Sequence, residues 1–347
     1  MTRIDHIESL AELLDVEPAG DLPGEDDLRD LRDDIEADLV AITSEWGDRP
    51  DSPLRITKAR LQSTGICHAQ VLSEAEPFVL DTDVAAGAIC DIAAGFVVIH
   101  PTFEPAGDWF EALRWALAQE RPDILELVER LDPDQRAVFL ATVNERCNAL
   151  GDLIGDVRRS QPTIRERARL PFDRAGVLLS TETDILLRQP HPTIVELKSG
   201  KLGPWVLDEL RFYALVRSLR DLRPPTFLCS ISLSDRNITA LPLRFDDLTA
   251  AARRVVATAE ALVDIDRSVS AGQAVATSPG GHCRWCRRAR SCPAVSDTVL
   301  SELPPVTMDM GATDFGATDF GAMDVSAMDV SAMDVSAMDE GVFDDGS

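Results

Sequence analysis

Three residues in the middle of the chain have the types and spacing of a hydrolytic metal site: Asp184, Glu196 and Lys198. Asp184 lies on the apolar run TDILLR, and Glu196 and Lys198 lie on the run TIVELK that follows it. Along a strand, residues i and i+2 point to the same face. Glu196 and Lys198 therefore share a face, while Leu197 turns to the core. A hairpin joining the two runs brings Asp184 beside them. Two carboxylates and one ammonium on one sheet face suit a divalent cation and an attacking water. An ordinary surface hairpin would present the same residues, so the stretch needs support from elsewhere in the chain.

That support comes from cysteine. Of seven cysteines, three form the set Cys283-x2-Cys286-x5-Cys292, flanked by His282, Arg284, Arg287, Arg288 and Arg290. An odd count and the absence of a secretory leader argue against a disulfide framework. Three thiolates need a fourth ligand. Structural zinc would accept His282 or a distant cysteine, and a cubane iron–sulfur cluster would need a fourth thiolate. Cys67 is the best candidate, because it lies in a polar segment ahead of the strands. Cys90, Cys147 and Cys229 sit in apolar runs and read as small core residues.

The elements that must position these groups can be traced from periodicity. Residues 1–52 form an N-terminal helical extension, with Leu28, Leu31, Ile35, Leu39 and Ile42 spaced by three or four. Residues 53–72 read as a short strand followed by a helix containing Cys67. The run DVAAGAICDIAAGFVVIH reads as a helix leading to a strand. Two long helices are expected over 107–130 and 133–158, within a helical insertion at about 105–160. From residue 168, ARLPF, GVLLS, TDILLR and TIVELKS suggest a β-meander. PWVLDELRFYALVRSLR is a helix with Pro204 in its first turn. Two more strands and a helix over 245–269 follow. This order predicts an α/β fold, a mixed sheet flanked by helices, with the cysteine set at its C-terminal end. Beyond residue 305 an Asp recurs every five residues, with ten acids and no base after Pro304. Such a segment, 305–347, has little to bury and reads as a disordered acidic tail.

Charge sets the environment. The net charge is −26, and of 34 basic residues only Lys58, Lys198 and Lys201 are lysine. In dilute salt such acidity opposes binding to phosphate backbones. Scarce lysine beside abundant Asp, Glu and Arg resembles proteins of salt-loving archaea, in which molar salt screens that repulsion. Global charge therefore does not exclude DNA. The N-terminus is acidic, and no uninterrupted apolar stretch is long enough to span a bilayer. A cytoplasmic protein with no membrane partner is expected. Ser199-Gly200-Lys201 lacks the upstream glycine of a phosphate-binding loop.

Taken together, a cysteine ahead of the domain, an Asp, a Glu-x-Lys, a helix reaching Tyr213 and Cys-x2-Cys-x5-Cys resemble the iron–sulfur branch of the PD-(D/E)XK nucleases. That branch includes RecB-like AddB nuclease domains, the replication helicase–nucleases and the CRISPR spacer-acquisition nucleases; the resemblance covers roughly residues 55–295 and implies a nuclease-like domain over 53–295. It implies a restriction-endonuclease-like sheet and hydrolysis of DNA, on single strands or ends, in repair or recombination. It implies Mg2+ or Mn2+ held by Asp184 and Glu196, with the Leu197 carbonyl as a further oxygen and Lys198 acting on the water. It implies a [4Fe–4S] cluster on Cys67, Cys283, Cys286 and Cys292. Asp91 falls where the family has a metal-binding His, with His68 and His100 as alternatives and Glu166 as a support. Tyr213, Arg211 and Glu209 fall in the DNA-positioning helix, Glu209 standing where the family has Gln and Thr181 where many members have Gly. Strand separation would require a partner helicase. Two alternatives stay open: a CRISPR spacer-acquisition nuclease, and an inactive iron–sulfur scaffold that binds DNA.

Overall fold

Alternating apolar residues and well-capped amphipathic helices build a three-layer α/β structure around one mixed sheet. The computed structural model describes residues 4, 7–18, 22–44, 46, 52–75, 80–100, 103, 105, 107–284 and 286–295. The expected acidic tail lies outside them. The six strands are β1 (Leu54–Ile56), β2 (Thr163–Phe172), β3 (Val177–Leu187), β4 (Thr193–Lys198), β5 (Phe227–Ser232) and β6 (Asn237–Pro242). The helices are α1 (Leu10–Leu13), α2 (Glu25–Ser44), α3 (Lys58–Ile66), α4 (His68–Val71), α5 (Thr82–Ile99), α6 (Trp109–Ala112), α7 (Arg114–Glu120), α8 (Pro122–Arg130), α9 (Pro133–Ile154), α10 (Trp205–Asp221) and α11 (Phe245–Ser270).

The sheet runs β1-β3-β4-β5-β6, with β2 paired to β3. β4 and β5 are parallel, joined by α10 as a βαβ unit, and every residue of both strands is buried. Burial on both faces is why they read as continuous apolar runs. β3 is the long strand that organises the site. β2 lies along one edge of it, from Phe172↔Val177 to Thr163↔Leu186. Its other edge is shared. β1 pairs there in parallel over Val177–Leu179, and β4 pairs antiparallel over Ile185–Leu187. Between the two, residues 180–184 have no strand partner on that edge among the described residues.

One face of the sheet carries α2, α3, α10 and α11, whose Leu28, Leu61, Leu210 and Val255 pack with Ile194 of β4 and Leu228 of β5. The opposite face carries α1 and α5 to α9, whose Leu10, Ile89 and Leu150 pack with Val195 and Leu197 of β4 and Ile231 of β5. The helices at 10–44 are thus parts of both layers, and packing marks no boundary at residue 52. Trp46 Nε1 donates to Asp266 Oδ2 at 2.8 Å and ties the segment after α2 to α11.

Several expectations need correction. The run at 82–100 is one helix throughout, not a helix and a strand. Asp81 caps it by accepting from the Val84 amide at 2.9 Å. Ala85, Ala86, Cys90, Ala93 and Ala94 are all buried, and packing against α9 overrides the strand propensity of Phe96–Val98. By length and composition α5 could cross a membrane, yet it is mostly buried inside the fold, as the core helix of a soluble protein is. The expected helix over 107–130 is three, because Leu113 and Arg121 leave the helical conformation and Pro122 starts α8. α9 stops at Ile154, where Gly155 takes φ +64°. GVLLS and TDILLR are one strand rather than two, and Cys67 lies in the break between α3 and α4 rather than within a helix.

Candidate functional site

The site forms where β3 and β4 part. Their ladder ends at Ile185↔Val195, and the next pair in register would be Asp184 with Glu196. On its other side, β3 loses a partner at the same residue. The β2 ladder omits Arg165 opposite Asp184, and Arg165 has φ +50°, a conformation costly outside glycine. Asp184 thus falls at the end of one ladder and at a gap in the other. Its Oδ2 instead accepts from the Leu197 amide at 2.6 Å, which fixes the carboxylate at the mouth of the fork.

Glu196 and Lys198 do share a face, as alternation requires, and it is the face covered by α3 and α10. Lys198 Nζ lies 2.7 Å from Glu196 Oε1 and 2.9 Å from Glu209 Oε2 on α10. Glu196 and Glu209 are each only 1% exposed. Buried carboxylates demand partners, and α3 supplies two more. Lys58 Nζ lies 3.3 Å from Glu196 Oε1, and Gln62 Nε2 donates to Glu209 Oε1. Lys58 and Gln62 are four residues apart and so lie on one side of α3. Burial pushes the Glu209 carboxyl above its usual range, against the pull of Lys198 and Lys58.

Tyr213, the chain's only tyrosine, closes the floor. Its ring centroid is 5.9 Å from Lys58 Nζ. Its hydroxyl is buried with no hydrogen-bond partner among the described residues. Burial, followed by the Glu196 charge, drives the phenol well above its ordinary pKa. Arg211 turns the other way, pairing with Asp247 at 2.8 Å and binding α10 to α11. Direct contact with a nucleic-acid strand, expected for Glu209, Tyr213 and Arg211, is not available to the two buried side chains in this conformation. Glu209 acts here as the second anionic wall around Lys198.

The remaining acids are placed less centrally. Asp91 on α5 raises the pKa of Arg165, opposing the effect of that guanidinium's burial. It thus lies on the far side of the fork, near the residue that faces Asp184. Glu166 is an ion-pair hub, 2.5 Å from Arg217 Nη1 and 2.7 Å from Arg188 Nη2, and it ties β2 to α10. Thr181 pairs with Ala168 in the β2–β3 ladder. His100 ends α5, and His68 opens α4 beside Cys67.

Cys67, Cys283, Cys286 and Cys292 line one cavity of about 360 Å3, together with His282. Burial raises the Cys286 thiol, and Cys283, Cys67 and Cys292 each raise it further. Two sulfurs already accept from backbone amides: Cys67 Sγ from Ser278 N and Cys283 Sγ from Gly280 N, each at 3.4 Å. Amide donors aimed at sulfur are the outer shell that a thiolate-ligated cluster uses, so the donor set fits a four-thiolate group. His282 Nε2 is 3.8 Å from Cys283 Sγ, which leaves a zinc ligand set equally at hand. Among the described residues, no three His, Cys, Asp or Glu side chains are gathered as a closed cage for a metal ion. Cys90 and Cys147 touch across the α5–α9 seam at 3.8 Å, and Cys229 is fully buried in β5, as core residues.

Sequence reasoning missed Lys58 and Gln62 as site residues. The one available signal was the scarcity of lysine: two of the chain's three lysines converge on Glu196. α3 also spans the distance between the two clusters, from Lys58 at its first residue to Cys67 just past its last.

No protein-family model matches this chain, and no curated protein matches it. Among solved structures, one described as "Crystal structure of SSO0001" aligns at TM-score 0.33 and 13% identity, covering 75% of this chain and 96% of that chain.

Proposed function

We propose that the chain is a metal-dependent DNA nuclease of the PD-(D/E)XK type, cutting single strands or ends, with a [4Fe–4S] cluster on Cys67, Cys283, Cys286 and Cys292. The observation that carries this reading is the fork. Asp184 and Glu196 fall opposite each other where β3 and β4 part, and Lys198 lies two residues on, bonded to Glu196. Paired carboxylates with an adjacent ammonium are what hydrolysis of a phosphodiester needs. Asp184 and Glu196 would hold Mg2+ or Mn2+, which lowers the pKa of water and neutralises phosphate charge.

The chain's own groups do the rest. Asp184 is oriented by the Leu197 amide and Glu196 by two ammonium groups, so neither carboxylate must reorganise to act. Lys198 places positive charge where the phosphorane oxygens become more negative. The water oxygen bonds to phosphorus and gives up a proton, the bond to the leaving sugar oxygen breaks, and that oxygen takes a proton. Arg288 lines the cysteine cavity, where short-range contacts to a backbone survive salt better than long-range attraction.

A second reading has one observation in its favour. Glu196 is 1% exposed and held by two lysines, as in a scaffold whose site has closed. The test is degradation of end-labelled single-stranded DNA with Mn2+ in molar potassium chloride, using protein purified without oxygen. Wild type should be coloured by sulfur-to-iron charge transfer and should shorten the DNA, and Asp184→Asn should keep the colour and lose the activity. A colourless protein that leaves DNA intact would end the proposal. A coloured one that leaves DNA intact would establish the scaffold.

A further inference from the structure

We propose that Lys58 is a built-in cation that neutralises Glu196 while no divalent ion is bound and must withdraw when one binds, so that it competes with the metal. This rests on the reading of Asp184 and Glu196 as metal ligands and adds a control to that site. A buried carboxylate without a counter-charge is strongly destabilising, and Glu196 has two counter-charges of different kinds. Lys198 comes from the same strand, is shared with Glu209 and has a side chain 6% exposed. Lys58 comes from a separate helix, is 3.3 Å from the same Oε1 and has a side chain 15% exposed. Its flexible stem can carry the ammonium out to water with little rearrangement.

The backbone position of Lys58 does not itself favour a cation. It is the first residue of α3, where the helix dipole disfavours a cation, and the cap itself is supplied by Thr57 accepting from the Arg60 amide. In a chain with three lysines, one has been placed at a helix start that does not favour it.

Charge balance points the same way. Asp184, Glu196 and Glu209 against Lys58 and Lys198 leave one negative charge among these five groups. A divalent ion turns this into one positive charge, and withdrawal of Lys58 restores neutrality. In a site this dry an unbalanced charge is costly, so metal binding and departure of Lys58 favour each other.

The test is direct titration of Mn2+ by electron paramagnetic resonance at fixed potassium chloride and without DNA. Wild type, Lys58→Met, Lys58→Arg and Asp184→Asn are compared. Removing the competing charge should tighten Mn2+ binding about tenfold in Lys58→Met, while Lys58→Arg should bind as weakly as wild type. Should Lys58→Met fail to fold, Lys58→Gln keeps a polar head without charge and carries the same expectation. Equal or weaker binding by the neutral variants, with binding still abolished by Asp184→Asn, would overturn the competition and leave the metal site standing. Binding that ignores Asp184→Asn would instead remove the site on which the competition rests.

Discussion

Replacing Lys198 with methionine keeps the stem and removes the charge, and its cost follows from the site geometry. The ammonium sits 2.7 Å from Glu196 and 2.9 Å from Glu209. At an effective dielectric near 20 each contact is worth roughly 6 kcal/mol of Coulomb energy, most of it offset by desolvation. What the variant leaves behind decides the sign: two carboxylates, each 1% exposed, with Lys58 still on Glu196 and the neutral Gln62 amide on Glu209. Breaking a buried pair by removing one partner costs about 3–5 kcal/mol, a fall in melting temperature of roughly 10 °C in a domain of this size. The loss should shrink on acidification, because a proton on Glu209, whose pKa burial already raises, removes the repulsion. Mn2+ should restore part of the stability by replacing the missing positive charge. Urea midpoints at fixed potassium chloride, across pH and with or without Mn2+, measure all three. A loss below about 1 kcal/mol, as for an exposed pair, or one indifferent to pH, would refute the buried three-way contact.

Three further outcomes are expected. Glu166→Gln should lower stability at neutral pH by about 2 kcal/mol. Burial pushes the Glu166 carboxyl up, but its bonds to Arg217 and Thr163 and the charges of Arg217 and Arg188 win and hold its pKa below 4.5. A depressed carboxyl stabilises above its unfolded pKa and loses that contribution as pH falls through the folded value. The melting difference between wild type and Glu166→Gln should therefore be full at neutral pH and close as pH falls through the lowered Glu166 pKa. Cys67→Ser should abolish visible absorption and reduce bound iron in protein purified without oxygen, while Cys229→Ser should leave both unchanged. Asp81→Ala should cost about 1 kcal/mol through loss of the α5 cap, read as a shifted urea midpoint without loss of metal binding.

The placement of the candidate site residues on the strands was more legible than what surrounds them. Glu196 and Lys198 share a face because strand alternation is a local rule, and Asp184 meets them because a hairpin register follows from it. Cys283, Cys286 and Cys292 were picked out by spacing, and Cys67, more than two hundred residues upstream, by the polar segment it lies in; the four residues line one cavity. Lys58 and Gln62 were not legible, since their approach to Glu196 and Glu209 depends on how α3 packs on the sheet and no local pattern encodes that. The positive φ of Arg165 was equally hidden, because Arg carries no signal for a left-handed conformation. GVLLS and TDILLR read as two runs because polar Thr181 and Glu182 separate them, yet Thr181 is buried and the strand runs on through both. The helix α5 read as part strand because Phe96, Val97 and Val98 favour strands, whereas its capping Asp81 and its small-residue packing decide otherwise.

The most direct test of a phosphodiester-cleaving centre at Asp184, Glu196 and Lys198 is the single-turnover rate of Mn2+-dependent cleavage of single-stranded DNA. Wild type and Lys198→Ala are compared at a temperature where both are folded. Loss of a charge poised at the reacting phosphate predicts a rate reduced by about a hundredfold or more, with DNA still bound and with cleavage by wild type abolished by a chelator. Equal rates in the two proteins, or cleavage that persists in the chelator, would contradict it.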